Sequence, residues 1–207
     1  MLIPLLRQCF TLAAIIMKTL ITTAGFLFLT LHLYSQLSLD SSLISERLSN
    51  EIRKYDQIEG CYIGCYGNKS VLFKKADSLK KIVGQTFENY FSDSSLILRY
   101  YSFLTVLKAN DAVAFEKLKL VISDTRKMDY EFAGQNRGTA DFNSLLAFEY
   151  LQFIKFKYYY GGILAKDGQT YNFPKRNMHE WKAKKSKFCK LIAQNKVDTR
   201  LIGDYCR

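Results

Sequence analysis

Residues 96–122 read LILRYYSFLTVLKANDAVAFEKLKLVI, and apolar side chains recur in this stretch at steps of three and four residues. Such spacing is typical of amphipathic α-helices. Asn110 and Asp111 interrupt the pattern, so we predict one helix over residues 96–109 and a second over residues 112–122. In the second helix, Val113 and Leu118 are predicted to face inward. The stretch therefore predicts two consecutive helices that pack through their apolar sides.

The same periodicity recurs on both sides of this pair. Further helices are predicted over residues 40–58, 71–83, 86–91, 140–160, 174–195 and 198–205. Ser70 is a suitable N-terminal cap for the second of these, and Gly161 is a suitable C-terminal stop for the long aromatic helix. The chain has 207 residues, of which 48% are hydrophobic. That is enough for one domain with a buried core and too few for a multi-domain enzyme.

Two segments between the helices carry other signals. Residues 124–139 are polar and contain glycine, and we predict that they form a connector. Residues 163–173 have a turn signal, Asp167-Gly168, between two short segments of strand character, which predicts a β-hairpin. The predicted fold class is therefore mainly α, a small helical bundle with a short C-terminal β-hairpin.

Residues 58–125 resemble part of a known group of proteins. The link Ser92-Asp93-Ser94-Ser95 precedes a helix that carries Ile97 and Arg99, as in a HEAT-type repeat. Together with the loop Gly60-Cys61-Tyr62-Ile63-Gly64 and the phrase RYYSFLTVL at residues 99–107, this is similar to uncharacterised exported bacterial helical proteins. The resemblance implies a HEAT-like helix pair in the bundle. Such pairs usually form binding surfaces, and the resemblance implies no active site.

The N-terminus has the features of a secretory signal peptide. Residues 1–35 contain no acidic residue, and the run from Thr19 to Tyr34 is almost wholly apolar. We predict a signal peptide over residues 1–35, with Met17 as a possible true start, and export to the periplasm or cell envelope. Residues 36–207 would then form a single helical domain without a stable membrane span, in which residues 163–207 are a hairpin plus a basic helical appendage. An uncleaved inner-membrane signal anchor is the alternative.

Export affects the interpretation of the cysteines. Four of the five follow the predicted signal peptide, namely Cys61, Cys65, Cys189 and Cys206. In an oxidising compartment they are candidates for up to two disulfides, with three possible connectivities. A zinc site made by three of them and His179 is conceivable, but the spacing of Cys61 and Cys65 is a weak metal signal. We predict disulfides or buried thiols, and no metal or other cofactor.

Positive charge is concentrated near the C-terminus. Of 30 basic residues only Arg7 and Lys18 precede residue 36, whereas all 19 acidic residues follow it, so residues 36–207 have a net charge of +9. The predicted basic helix contributes a candidate anion-binding face, consisting of Lys175, Arg176, Lys182, Lys184, Lys185 and Lys187. A lysine face that merely keeps the helix solvated is the alternative. Lysine outnumbers arginine here, which does not favour nucleic acid as the partner.

The aromatic helix offers a second candidate. Its end, Tyr158-Tyr159-Tyr160, lies close in sequence to Tyr171 and Phe173. Tyr159 could belong to a platform on which a sugar or peptide stacks. Aromatic residues at helical spacing are more often part of the core, which is the alternative here.

Catalytic patterns are scarce. His179 is the only histidine after residue 35, and no nucleophile, metal-protease or phosphate-loop motif accompanies it. We therefore expect an exported, non-catalytic binding or scaffolding module of the cell envelope, whose partner is an envelope protein or an anionic polymer. Electrostatic binding of anionic envelope polymers or lipid head groups through the basic helix is the first alternative. A hydrolase of unknown substrate is the second.

Overall fold

The structure is a computed structural model that describes residues 22–23, 25–30, 40–60, 62–63, 68–132, 137–166 and 169–206. For residues 62–63, 68–69, 162–166 and 169–172 it describes the backbone alone. The chain divides into two units, Met1–Glu46 and Arg47–Arg207. Residues 25–30 of the first unit are helical. In the portion of the chain that the structure describes, no helix is both long and apolar enough to cross a membrane.

The fold is mainly helical, as predicted, and also contains a small three-stranded sheet. The α-helices are α1 (residues 40–53), α2 (Val71–Val83), α3 (Leu96–Ala109), α4 (Asp111–Val121), α5 (Phe142–Ile154) and α6 (Met178–Gln194). The second unit also contains two 3₁₀-helices, Gly84–Ser92 and Gly203–Cys206, and a π-helix, Lys155–Tyr160. The strands are β1 (Gln57–Glu59), β2 (Tyr62–Ile63), β3 (Asn68–Lys69), β4 (Lys127–Glu131), β5 (Arg137–Asp141), β6 (Gly162–Lys166) and β7 (Gln169–Phe173).

Polar side chains set the starts of the helices. The Phe73 amide donates to Ser70 Oγ at 2.8 Å at the start of α2, as predicted. Asn110 accepts bonds from the amides of Ala112 and Val113 at the start of α4. The start of α6 differs from the prediction, because the helix begins at Met178 rather than at residue 174. Its cap is Asn177, whose side-chain oxygen accepts the Glu180 amide at 3.1 Å.

The connector predicted over residues 124–139 is wrong, because most of its described residues lie in strands. Strand β4 pairs antiparallel with β5, with Met128 opposite Ala140, and parallel with β1, with Gln57 opposite Asp129. Accordingly α1 ends at residue 53, five residues earlier than predicted, and buried Ile58 belongs to the sheet. The partners of β1 are distant in sequence, so local periodicity could not indicate this sheet.

Helix α5 lies at the centre of the core. Ten of its thirteen residues are buried, and they lie on nearly every side of the helix. This explains why apolar residues are not confined to one face of α5. Helix α6 packs on α5, and Trp181, Phe188 and Ile192 belong to the same core cluster as the α5 residues. The basic helix is therefore anchored in the main core of the second unit.

The chain between α5 and α6 leaves the helix through a π-helical turn. Gly161 closes this turn with a φ of +65°, and its amide donates to the Phe156 carbonyl at 2.9 Å. Strands β6 and β7 follow and pair antiparallel, with Lys166 opposite Gln169. The predicted turn residues Asp167 and Gly168 lie outside the described residues.

A disulfide joins Cys189 of α6 to Cys206. This confirms one disulfide among the predicted candidates. It ties the last 3₁₀-helix to the middle of α6. Cys61 and Cys65 lie outside the described residues, so their state stays a prediction.

Candidate functional site: the cationic face of α6 and the adjoining tyrosines

Three lysines form the cationic face of α6. Lys182, Lys187 and Lys190 are exposed, and at 100° per residue they fall within an arc of about 140°. The buried residues of the helix, among them Trp181 and Phe188, lie on the opposite side. Among the described residues none of the three lysines forms an ion pair. Their positive charges therefore face solvent, and no carboxylate in the described part of the chain neutralises them.

The structure separates the six basic residues singled out from the sequence. Lys182 and Lys187 lie on the cationic face, and Lys175 and Arg176 are exposed in the segment before the helix. Lys185 is half-buried beside the core. Sequence reasoning missed Lys190, although helical periodicity places it between Lys182 and Lys187 on the exposed side.

Lys184 points inward, onto the buried carboxylate of Asp111. Its Nζ lies 2.9 Å from Asp111 Oδ2, while Lys157 Nζ lies 2.7 Å from Oδ1. The Tyr158 hydroxyl donates to the same carboxylate, 3.1 Å from Oδ1. The Asp111 side chain is only 6% exposed. Asp111, Lys157, Tyr158 and Lys184, the Asp111 cluster, thus connect α4, the π-helix and α6.

The charges of the Asp111 cluster stabilise one another. Burial alone would raise the pKa of the Asp111 carboxyl, but the bonds from Lys157 and Lys184 outweigh this effect and hold its pKa below the usual value. Burial alone would likewise lower the pKa of both lysines, yet the bonds to Asp111 leave each pKa above its usual value. All three groups are therefore charged at neutral pH. Burial also raises the pKa of the nearby Tyr150 hydroxyl, and the negative charge of Asp111 adds to that effect.

The π-helix presents two tyrosines near the start of α6. The Tyr159 ring is half-buried, 5.7 Å from the Trp181 ring, and the Arg176 guanidinium lies 5.0 Å from its centroid. Tyr160 meets Tyr159 edge-on with ring centroids 5.0 Å apart, and it is 54% exposed. Tyr159, which the sequence singled out, is thus covered by neighbours, whereas Tyr160 has a ring open to solvent.

A close backbone contact holds Arg176 in this place. A Cβ atom on Gly161 would lie 2.5 Å from the Arg176 nitrogen and 2.9 Å from the Pro174 carbonyl oxygen. The Asn177 amide donates to the Tyr158 carbonyl at 2.9 Å. The segment before α6 therefore lies directly against the end of the π-helix, and only glycine leaves room for this approach.

Lys155, at the start of the π-helix, is engaged by the disulfide-linked C-terminus. Its Nζ lies 4.2 Å from the centroid of the Tyr205 ring and donates to the Tyr205 hydroxyl. The same Nζ lies 5.5 Å from the centroid of Tyr160. Lys155 is thus a half-buried cation within cation–π distance of the Tyr160 ring.

The described residues form a cleft and a small cavity, and the lining of the cleft includes the polar side chains of Asp56 and Ser94. A cleft of about 260 Å³ is lined by residues that include Arg53, Ser95 and Met128, and a second cavity between α2 and α3 has a volume of only about 30 Å³, room for a single water molecule. His179 is exposed and lines neither of them. Within the described ranges no three His, Cys, Asp or Glu side chains lie close enough together to hold a metal ion.

Two glutamates are buried, Glu59 of β1 and Glu149 of α5. Glu149 accepts a hydrogen bond from the Tyr100 hydroxyl at 2.8 Å, and Glu59 accepts one from Ser70 at 2.6 Å. Both therefore have hydrogen-bond partners that account for their burial.

Comparisons of the chain with models of protein families, with curated proteins and with solved structures find no significant match.

Proposed function

We propose that this protein is an exported, non-catalytic module that binds an anionic polymer of the cell envelope through the cationic face of α6. The observation that carries this proposal is the exposed arc of Lys182, Lys187 and Lys190, which forms no ion pair with any residue that the structure describes. The helix that bears it packs into the main core, so the backbone positions of the three lysines keep a fixed spacing. Fixed charges of one sign attract a polyanion and raise its rate of association.

The charge balance of the region supports the same proposal. Residues 166–207 contain 11 basic and 4 acidic residues. Asp198 is held by Arg200 at 2.6 Å, so this carboxylate is already neutralised within its own turn. The exposed position of His179, away from both cavities, supports a binding role over a hydrolytic one.

We propose further that the 3₁₀-helix Gly84–Ser92 and the helix α3 form a HEAT-like pair within this module. Ser102 Oγ donates to the Glu88 carbonyl at 3.1 Å, and the Phe91 and Phe103 rings lie 6.3 Å apart. These contacts support close packing of the two helices. Asp93 is bound by Arg53 of α1, whereas Arg99 binds Asp124. These two ion pairs connect the helix pair to α1 and to the segment that follows α4.

Export is the first part of the proposal to test. We expect the protein to be recovered from the periplasmic fraction as a form that begins at Gln36, with Cys189 and Cys206 protected from alkylation until a reductant is added. The disulfide between these residues is consistent with an oxidising compartment. Cell fractionation followed by intact-mass measurement with and without reductant tests this. A cytosolic form with free Cys189 and Cys206 would contradict export.

Binding is tested with inorganic polyphosphate and with heparin as probes. We expect the triple variant Lys182→Gln, Lys187→Gln, Lys190→Gln to lose about tenfold or more in affinity for both at low salt, because three phosphate or sulfate contacts disappear. The control is Lys54→Gln, Lys74→Gln, Lys81→Gln, which removes the same formal charge from exposed lysines outside α6, of which Lys81 is paired with Asp77. Equal losses in the two triple variants would contradict a localised site, because net charge alone would then explain binding.

A further inference from the structure

The exposed ring of Tyr160 lies at one end of a row of aromatic and cationic groups. The Tyr160 ring contacts the Tyr159 ring edge-on, and the Arg176 guanidinium lies over the Tyr159 ring. Each of these two distances is 5.0 Å, so the guanidinium lies no more than about 10 Å from the Tyr160 centroid. An open aromatic ring and a cation thus lie within the reach of one short segment of polymer.

The supports of Tyr160 fix the orientation of its ring. Phe156 lies 5.6 Å from it, Lys155 lies 5.5 Å from its centroid, and Tyr159 meets it at an interplanar angle of 85°. Tyr160 is nevertheless 54% exposed. A large aromatic side chain that is held in place and open to solvent loses little conformational entropy when a flat ligand stacks on it.

We propose that this row is a subsite for an acidic polysaccharide. A sugar ring would stack on Tyr160, and a carboxylate, sulfate or phosphate on the same or the adjacent sugar would bind Arg176. The inference rests on the proposed function and narrows the ligand from polyanions in general to those that contain sugar rings.

The chemistry of the row favours this class of ligand over a polyanion without rings. Arginine is suited to planar carboxylates and to phosphates, to which it donates two parallel hydrogen bonds. The hydrophobic side of a sugar ring stacks on an aromatic face, while polyphosphate has no such surface. Tyr160 would therefore contribute to the binding of an acidic polysaccharide and not to the binding of polyphosphate.

The test compares Tyr160→Ala and Tyr160→Phe in the full chain, with heparin and polyphosphate as probes. We expect Tyr160→Ala to weaken heparin binding about tenfold and to change polyphosphate binding by less than about twofold. Tyr160→Phe should bind both probes as the wild type does, because it keeps the ring. Thermal unfolding of each variant checks that the exposed substitution leaves the fold intact.

The possible results separate this inference from the proposed function. Equal heparin affinity in Tyr160→Ala and the wild type would overturn the sugar subsite while leaving anion binding in place. Equal losses of affinity for heparin and polyphosphate in Tyr160→Ala would also overturn it, because the contribution of Tyr160 to binding would then not depend on a sugar ring. If the folded wild type binds neither probe at low salt, the proposed function fails, and the subsite fails with it.

Discussion

Replacing Asp111 with asparagine is expected to lower the free energy of unfolding by about 2–4 kcal/mol, the effect of removing one partner from a largely buried ion pair. Asparagine keeps the size of the side chain but leaves Lys157 and Lys184 facing each other without the carboxylate between them. The side chains of both lysines are partly exposed, 26% for Lys157 and 20% for Lys184. We therefore expect a smaller loss of stability than for a fully buried ion pair. Urea-induced unfolding followed by the fluorescence of Trp181 measures this change.

The control for Asp111→Asn is Asp77→Asn on α2. Asp77 pairs with Lys81, whose side chain is 75% exposed, so we expect a change within about 0.5 kcal/mol. The double variant Asp111→Asn, Lys184→Met should be less destabilised than the sum of its single changes, because one of the two facing charges is gone. An Asp111→Asn effect no larger than that of Asp77→Asn would contradict a stabilising role for the Asp111 cluster.

The stabilisation by Asp111 should depend on pH. Because the pKa of this carboxyl is lowered in the folded state, its contribution is fully present above the unfolded pKa of about 3.9. It is lost as the pH falls through the still lower folded pKa. The wild type and Asp111→Asn should therefore converge in stability in this acidic range. A difference that persists unchanged into strong acid would show that the variant acts through packing instead.

Gly161→Ala is expected to destabilise the protein by about 2–4 kcal/mol, from the strain of a left-handed backbone together with a steric conflict. The added methyl group would lie 2.5 Å from the backbone nitrogen of Arg176, so the segment before α6 must move. This movement should also displace the Arg176 guanidinium from the Tyr159 ring. Thermal or urea-induced unfolding measures the loss of stability.

Gly84 provides a matched control for Gly161→Ala. It also closes a helix with a positive φ, +58°, but nothing lies within 4 Å of the Cβ position. We expect Gly84→Ala to cost about 1 kcal/mol, from backbone conformation alone. Equal effects of the two substitutions would mean that the close approach to Arg176 contributes nothing.

Local signals in the sequence identified the helices and many of their ends. Ser70 accepts the Phe73 amide as a cap must, and Gly161 ends the helical run with a positive φ. These features were predictable because each depends on residues within one or two turns. In α4 the prediction failed at Val113, which is 43% exposed, whereas Asp111 and Ala114 are buried. We predicted that Asn110 and Asp111 separate the two helices. In the structure Asn110 caps α4 and Asp111 is its first residue, and the buried side of the first turn contains Asp111 and Ala114 instead of Val113.

The rest of the fold depends on residues that meet from distant parts of the chain. Strand β1 has only three residues and takes its partner from β4, so neither segment alone carried a decisive pattern. The role of Lys184 was equally hidden, since the carboxylate that it binds comes from α4. By contrast, the helical periodicity of α6 would have placed Lys190 on the exposed side and Lys184 beside the core. The positions of Lys190 and Lys184 were thus predictable, whereas the ion pair of Lys184 with Asp111 was not.

The salt dependence of polyphosphate binding tests the central claim most directly. For the wild type and the two triple lysine variants, the logarithm of the dissociation constant is measured against the logarithm of the salt concentration. We expect the slope for Lys182→Gln, Lys187→Gln, Lys190→Gln to be smaller than that of the wild type by about 2–3, since each lost phosphate contact releases one counterion fewer. The Lys54→Gln, Lys74→Gln, Lys81→Gln control should keep the wild-type slope. Identical slopes for all three proteins would contradict binding through the cationic face of α6.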